Sequence, residues 1–443
     1  IDSRMQQHAQ DAMRDHMSDL QRRFFREKKG SPSAPYTSDP EELSPATRKQ
    51  LIRNAIKQSE RYRVAKVAGL SDAEIEQQFN TPFDMTMFSY DGPVDTTMTP
   101  RDSILYTKHF LRAGFMAMDP TNGHVKAYVG GPDFRFFQYD MVSRGKRQVG
   151  STIKPFLYAL AMEGDESGSD SFTPCSMLSN TQPVITLPDG QTWMPRNSGK
   201  ARVGEMVDLR WALTNSNNWI SARLIQEVHP SELVKYMHNM GITSKLPAVP
   251  SLALGPAEIS LREMVTGYSA FANQGSYSQP LYVTAITDNS GNVLATFRPN
   301  RTEAIGRQAY YRILSILLNV VDSGTGNRLR RPPYSLSAQI GGKTGTTNNN
   351  SDGWFMGFTP DLVAGAWVGG DERYIHFNTM ANGQGAEMAL PIFGRFMRAV
   401  YDDPKLNYSQ SARFEFPADI NICGNYVPEA PETVEQTVEG YFD

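Results

Sequence analysis

The order in which strand-like and helix-like segments follow one another is what most constrains this chain. Phe115-Met116-Ala117-Met118 and His124 to Val129 flank the turn Asp119-Pro120-Thr121-Asn122-Gly123. Asn-Gly is a strong hairpin signal because both residues tolerate positive φ. Helical periodicity then takes over from Ser151 to about Glu163, and again over Leu209 to Thr214, Ile220 to Glu227, Leu261 to Ala272 and Gln308 to Val321. A strand pair interrupts it at Leu281 to Thr287 and Val293 to Phe297. Three more strands, Leu336 to Thr347, Trp354 to Phe358 and Leu362 to Val368, are separated by turn-rich connections. A hairpin, then helices, then a meander predicts an α+β fold: an antiparallel sheet flanked by helices, not an alternating βαβ chain.

Upstream of the hairpin, Met5 to Phe25 reads as a helix and Lys29-Gly30-Ser31-Pro32-Ser33-Ala34-Pro35 as a loop. Ser44-Pro45 opens a second helix running through Leu51, Ile52, Ile56 and Tyr62, with Ser at the cap and Pro just inside. Ser71-Asp72-Ala73-Glu74 has the capping-box spacing. Residues 1–100 are therefore expected to hold the N-terminal start of the domain plus a helical insertion or appendage, 101–405 the catalytic unit, and 406–443 a Pro- and Glu-rich tail. The 443 residues carry a net charge of −3, which makes no electrostatic case for nucleic-acid binding. No run of about 18 apolar residues exists that could span a membrane. Two cysteines, Cys175 and Cys423, make no metal-ligand cluster. A disulfide requires an oxidising compartment, and two buried free thiols are the expectation.

Three short motifs carry the chemistry. In Gly150-Ser151-Thr152-Ile153-Lys154-Pro155-Phe156, Pro155 lacks an N–H and fits only the first turn of a helix. Ser151 is thus expected at a helix N-terminus, where free N–H groups favour a developing negative charge. Lys154 follows on the same face, so a hydroxyl and an amine can act as nucleophile and base without a histidine. Ser216-Asn217-Asn218 lies between two helical stripes and suits a tight connection presenting Ser216 and Asn218 to a cleft. Gly341-Gly342-Lys343-Thr344-Gly345-Thr346-Thr347 reads as a strand in which glycine tolerates the close approach of another backbone. An extended peptide adding at that edge would meet the cation of Lys343 and the hydroxyls of Thr344 and Thr346. Each motif alone is ordinary: a capped helix with a solvated lysine, a helix–helix turn, a phosphate loop. The phosphate loop fails because Ser337 stands where its first glycine belongs and a turn, not a helix, follows.

The order S-x-x-K, S-x-N, K-T-G is much more specific, and belongs to β-lactamases and penicillin-binding proteins. The match extends to Asp119–Gly123, Gly130-Gly131, Lys146-Arg147-Gln148-Val149-Gly150, Ser251-Leu252-Ala253-Leu254-Gly255, Glu263-Met264, Tyr268–Gly275 and Gly324-Thr325-Gly326. Over roughly Arg101 to Val400 the chain resembles the transpeptidase domain of class A penicillin-binding proteins. The resemblance implies an acyl-serine D,D-transpeptidase acting on D-Ala-D-Ala stem peptides of peptidoglycan and acylated by β-lactams. It implies Ser151 as nucleophile, Lys154 as base, Ser216 and Asn218 as relay and amide-binding residues, and Lys343, Thr344, Gly345 and Thr346 as the carboxylate-binding strand. The backbone N–H groups of Ser151 and Thr346 would form the oxyanion hole. No cofactor or metal is called for, other cell-wall synthesis proteins are expected partners, and the reaction belongs on the periplasmic face of the inner membrane. The opening Ile1-Asp2-Ser3-Arg4-Met5-Gln6 resembles the start of that domain, so the chain reads as a fragment whose anchor and glycosyltransferase domain lie elsewhere.

Rival chemistries fit less well. A Ser-His-Asp hydrolase is disfavoured because the seven histidines fall outside all three motifs and no G-x-S-x-G occurs. A D,D-carboxypeptidase or a serine β-lactamase shares the trio, although the deacylating E-x-x-L-N segment of the latter is missing. A β-lactam sensor that is acylated once is the reading in which the chain is not an enzyme. The aromatic segments Phe134-Arg135-Phe136-Phe137 and Trp354-Phe355 are expected to be packing.

Overall fold

The computed structural model describes residues 1–164, 172–187 and 189–423. Five strands organise it: β1 (Arg112–Met118), β2 (Val125–Val129), β3 (Gly341–Thr346), β4 (Asp352–Phe358) and β5 (Val363–Gly369). Their spatial order is β3-β4-β5-β1-β2 and every pairing is antiparallel. The late meander thus joins the early hairpin where β5 meets β1, with Ala366 opposite Phe115. Strand β3 is left at an edge. It begins at Gly341, not at Leu336 as expected, because Arg330 takes the carbonyls of Leu336 and Ala338 at 2.8 and 2.6 Å and satisfies them without a partner strand.

Six helices cover the sheet: α1 (Ser3–Lys28), α2 (Lys154–Ala161), α3 (Asn218–Val228), α4 (Leu261–Ala272), α5 (Arg307–Asp322) and α6 (Leu390–Asp402). Strand side chains alternate between faces. Met116, Met118, Trp354 and Met356 join the core formed with α2 to α5, while Phe115, Ala117 and Phe355 join the core formed with α1 and α6. The α+β expectation holds.

The 1–100 segment divides in two. Helix α1 belongs to the core, since Met5, Ala9, Met13, Met17, Leu20 and Phe24 make one buried stripe at helical spacing. The Asp2 carboxylate caps it, and the Asp2 N–H bonds the Lys126 carbonyl at 2.9 Å, tying it to β2. Beyond it, the helices Pro45–Gln58, Glu60–Val67 and Asp72–Phe79 form an appendage with its own small core of Ala65, Ile75 and Phe79. The helix expected to run to Tyr62 breaks at Ser59, which leaves helical geometry and caps the next segment by accepting from the Tyr62 N–H. The capping box at Ser71 and Glu74 is present.

Two expectations need correction at the C-terminal end. Cys175 and Cys423 are joined in a disulfide across 248 residues of sequence, and both are half-buried, so the favoured pair of buried free thiols does not exist. Residues 406–423 have no helix or strand, in keeping with a tail, yet they are fastened down. The Phe414 N–H bonds Gln339 at 2.7 Å, its ring packs on the core beside α4 and α5, and Asp419 pairs with Arg307. Composition hides this because Pro and Glu outweigh Phe414, Ile420 and Ile422. The rest of the expected tail, 424–443, lies outside the described residues. Trp354, Phe355 and Phe137 are buried as packing, but Phe134 is 76% exposed. His16 and His376 are satisfied core histidines bonded to the Met388 carbonyl and to Glu42, whereas His124 is half-buried.

Candidate active site

Ser151 sits on a single 3₁₀ turn, Gly150–Ile153, and α2 proper begins at Lys154, with Pro155 in its first turn. The helix expected to start at Ser151 is therefore tighter at its origin. The turn passes directly into the helix, and the Lys154 N–H bonds the Ser151 carbonyl.

Backbone laid on backbone holds this turn against β3. A Cβ added at Gly150 would lie 2.9 Å from the Thr346 carbonyl oxygen, and one at Gly345 2.8 Å from that of Val149. On the other side Gly150 donates to the Gly255 carbonyl at 2.9 Å and Val149 to that of Ala257 at 3.2 Å. Only glycine gives this approach, which explains why a strand is allowed to be so poor in side chains. Thr347 donates to the Asp352 carbonyl at 3.1 Å. Antiparallel alternation then turns the Thr346 N–H away from β4, toward the open edge and Gly150. The Ser151 N–H has no acceptor among the described residues. Two free N–H groups thus face the same region.

The Lys154 side chain is fully buried and points into the Ser216–Asn218 connection. Its Nζ lies 2.7 Å from the Ser216 carbonyl, 3.1 Å from that of Asn217, 2.7 Å from Asn218 Oδ1 and 3.5 Å from Ser216 Oγ. Ser216 adopts a positive φ of 56°, which aims its carbonyl at the amine. Asn217 does structural work instead, capping α3 through the Ile220 N–H and donating to Asn180 Oδ1 at 2.8 Å. Lys343, also fully buried, donates to Ser216 Oγ at 2.9 Å and to the Thr344 carbonyl at 3.0 Å. Burial, and then the Lys343 charge, hold the Lys154 amine well below its usual range. Burial alone brings Lys343 down to about 7.

The three motifs therefore converge, but not all their members face the same space. Ser151, Asn218 and Thr346 line a cleft of about 610 Å³. Ser216 lies behind it, between the two amines. Thr344 is buried against Thr325 at 2.8 Å, Gly345 is consumed by packing on Val149 and Thr152, and Thr346 Oγ1 accepts from the Gly385 N–H at 2.9 Å. Trp193, Arg196 and Arg373 complete the cleft walls and had no motif to announce them. A cleft hydroxyl with free N–H groups beside it and a depressed amine behind it is equipped for acyl transfer without metal or histidine.

Residues 113–369 match the penicillin binding protein transpeptidase domain family, and residues 31–111 the penicillin-binding protein middle domain family. Penicillin-binding protein 1A of Neisseria lactamica is 33% identical over 299 residues, 65% of this chain and 36% of that protein. The same protein of Rickettsia typhi is 31% identical over 346 residues, 72% of this chain and 42% of the relative. The chain thus spans less than half the length of these curated relatives. The crystal structure of penicillin-binding protein 1A from Haemophilus influenzae superposes with a TM-score of 0.64 at 22% identity, covering 90% of this chain and 65% of that one. The PonA1 protein from Mycobacterium tuberculosis, solved in complex with penicillin V, superposes with a TM-score of 0.55 at 19% identity, covering 85% of this chain and 97% of that one. Over more than half its length, then, this chain belongs to the penicillin-binding protein transpeptidase domain family.

Proposed function

We propose that the chain is a peptidoglycan D,D-transpeptidase working through an acyl-serine intermediate. The observation that carries this reading is the buried, carboxylate-free pair of amines, Lys154 and Lys343, sharing the Ser216 hydroxyl behind Ser151. Ser151 Oγ attacks the carbonyl of the penultimate D-Ala as neutral Lys154 takes its proton. The ester forms, the peptide bond breaks, and terminal D-Ala leaves as the amine after receiving a proton relayed through Ser216. An amine of a second stem peptide then attacks the ester, giving the cross-link and restoring the hydroxyl. The Ser151 and Thr346 N–H groups hold the oxyanion. Asn218 binds the donor amide, and Thr346 with the field of Lys343 receives the terminal carboxylate. Thr344, turned to Thr325, is a positioning residue.

β-Lactams acylate the same hydroxyl in this reading. In this reading the chain acts in cell-wall synthesis outside the cytoplasm, on the periplasmic face; among the described residues no helix is long and apolar enough to cross a membrane. Intact-mass measurement after penicillin treatment tests the assignment. One adduct is expected, and none on Ser151→Ala. An adduct that survives the substitution ends the reading.

A further inference from the structure

The carboxylate of Asp352 joins two backbone segments that carry the free N–H groups of the cleft. Asp352 opens β4 and is buried, with 5% of its side chain exposed. Its Oδ1 accepts from Arg147 Nε at 2.7 Å and from Trp367 Nε1 at 3.1 Å, and its Oδ2 accepts from the Thr347 hydroxyl at 3.0 Å. The Asp352 N–H returns a bond to Thr347 Oγ1 at 3.0 Å, and the Thr347 N–H bonds the Asp352 carbonyl at 3.1 Å.

These partners flank the two N–H groups in sequence. Thr347 follows Thr346 directly. Arg147 stands four residues before Ser151, on the short strand Lys146–Gln148, which pairs with Glu258–Ser260. That strand is held to the sheet at two further points. Trp354 Nε1 donates to the Gln148 carbonyl at 2.8 Å, and the Arg147 guanidinium lies 5.0 Å from the centre of the Trp367 ring. One carboxylate therefore reaches the end of β3 through one oxygen, and the strand leading to Ser151 through the other.

Both N–H donors are backbone, so no side-chain rotation can adjust their spacing; it is set by the segments that carry them. Desolvation offsets most of the attraction within a buried ion pair, so the Asp352–Arg147 pair contributes little net stability, and what it supplies is fixed geometry. We propose that Asp352 is a positioning residue for acylation, whose carboxylate sets the separation of the Ser151 and Thr346 N–H groups through Arg147 and Thr347. This rests on the transpeptidase reading, in which the donor carbonyl oxygen becomes an oxyanion between those groups as Ser151 Oγ bonds its carbon.

The test compares acylation by two acyl-D-Ala esters, alike except that the reacting carbonyl is C=O in one and C=S in the other. Sulfur is a weak acceptor of hydrogen bonds, so the ratio of the two rates reports the N–H donors and not the general integrity of the fold. Asp352→Asn combined with Arg147→Met cuts the bridge without leaving a buried charge unpaired. Thr347→Val cuts the other arm and leaves the ion pair in place. A lost oxyanion donor is worth about 10²–10³ in rate, and here the donors are displaced, not removed, so the oxo ester should slow by about ten-fold while the thiono ester changes by less than about two-fold. Melting curves taken alongside identify the folded variants; should the double variant not fold, Thr347→Val carries the test. Equal losses with both esters, or an unchanged ratio in a folded variant, would overturn the positioning role, as would a Thr347→Val chain that does not fold, since the bond would then be structural alone. A wild type that forms no acyl-enzyme on Ser151, with either ester or with penicillin, would instead overturn the transpeptidase reading beneath it.

Discussion

Lys343 Nζ lies 2.9 Å from Ser216 Oγ, so one buried amine is joined through a hydroxyl to a second, that of Lys154 3.5 Å away. Neither can keep its usual proton affinity there. In the proposed mechanism Lys154 is a base only when neutral, so acylation should rise as pH climbs through its depressed pKa. Lys343 loses its charge above about 7, and with it the proposed attraction for the terminal carboxylate. A bell-shaped pH profile of kcat/KM is expected, with its basic limb near that value. In Lys343→Met the basic limb should vanish, and the acidic limb should move to higher pH because the cation that depresses Lys154 is gone. A basic limb unchanged in that variant contradicts the assignment.

Replacing Lys154 itself is the sharper perturbation. Lys154→Met keeps the buried stem and removes the proposed base, which is worth about 10²–10⁴ in rate for a positioned proton acceptor. Penicillin acylation followed by stopped-flow or mass spectrometry should slow by about a thousand-fold. A rate within ten-fold of the wild type would transfer the role to another group.

How far these features could be read beforehand depended on whether they were local. Pro155 located the start of α2 to within a few residues, and the spacing of Leu261 to Ala272 marked out α4 to its ends. The 3₁₀ turn under Ser151 was not legible, because it follows from Gly150 lying against Thr346 nearly two hundred residues later. The positive φ of Ser216 was hidden for the same reason: it is imposed by an amine from another motif. Arg196 and Arg373 come from irregular segments, where neither periodicity nor turn chemistry distinguishes a cleft arginine from a solvated one. Cys175 and Cys423 gave no sign of pairing, since distance along the chain says nothing about distance in space.

Glu263 shows what a structural carboxylate does in the same fold. It caps α4 in a capping box with Ser260, and also accepts from the backbone N–H groups of Thr243 and Ser244 at 2.9 and 2.7 Å. Burial pushes its carboxyl up, but the hydrogen bonds from Ser260, Thr243 and Ser244 outweigh it and bring it to about 2. A depressed folded-state pKa adds stability above the unfolded value, and that stability is lost as pH falls. The loss should run from about 4.5 down to 2, and amount to about 2–3 kcal/mol. Glu263→Gln should cost a similar amount at neutral pH and flatten the acid limb of thermal stability, as measured by calorimetry.

The disulfide closes a loop of 248 residues between Cys175 and Cys423. Chain-entropy reasoning gives such a closure up to about 5 kcal/mol, acting on the unfolded state. Reduction, or Cys423→Ser, should lower the melting temperature by several degrees. Residues 406–423 are held independently through Phe414 and Asp419, so their release should be partial in proteolysis. Melting unaffected by reductant would argue against the bond in solution.

Gly255 offers the most stringent test of the backbone packing that places Ser151, the proposed nucleophile. Its φ is +75°, and an added Cβ would fall 2.0 Å from the Gly150 carbonyl oxygen. The left-handed conformation alone costs a non-glycine residue about 1–2 kcal/mol. The contact cannot be relieved by a side-chain rotation, because its partner is backbone. The cheapest escape is to push Gly150 away, and Gly150 is also in contact with Thr346 and immediately precedes Ser151. Gly255→Ala should therefore lose about 3 kcal/mol of stability, together with most of its penicillin acylation, by parting the two free N–H groups. Gly291→Ala is the control: its φ is +84° but an added Cβ meets nothing within 4 Å, so it carries the conformational cost without the displacement. A Gly255→Ala variant that loses stability like the control but acylates normally would mean that Ser151 is positioned by its own turn, independently of the contact with β3.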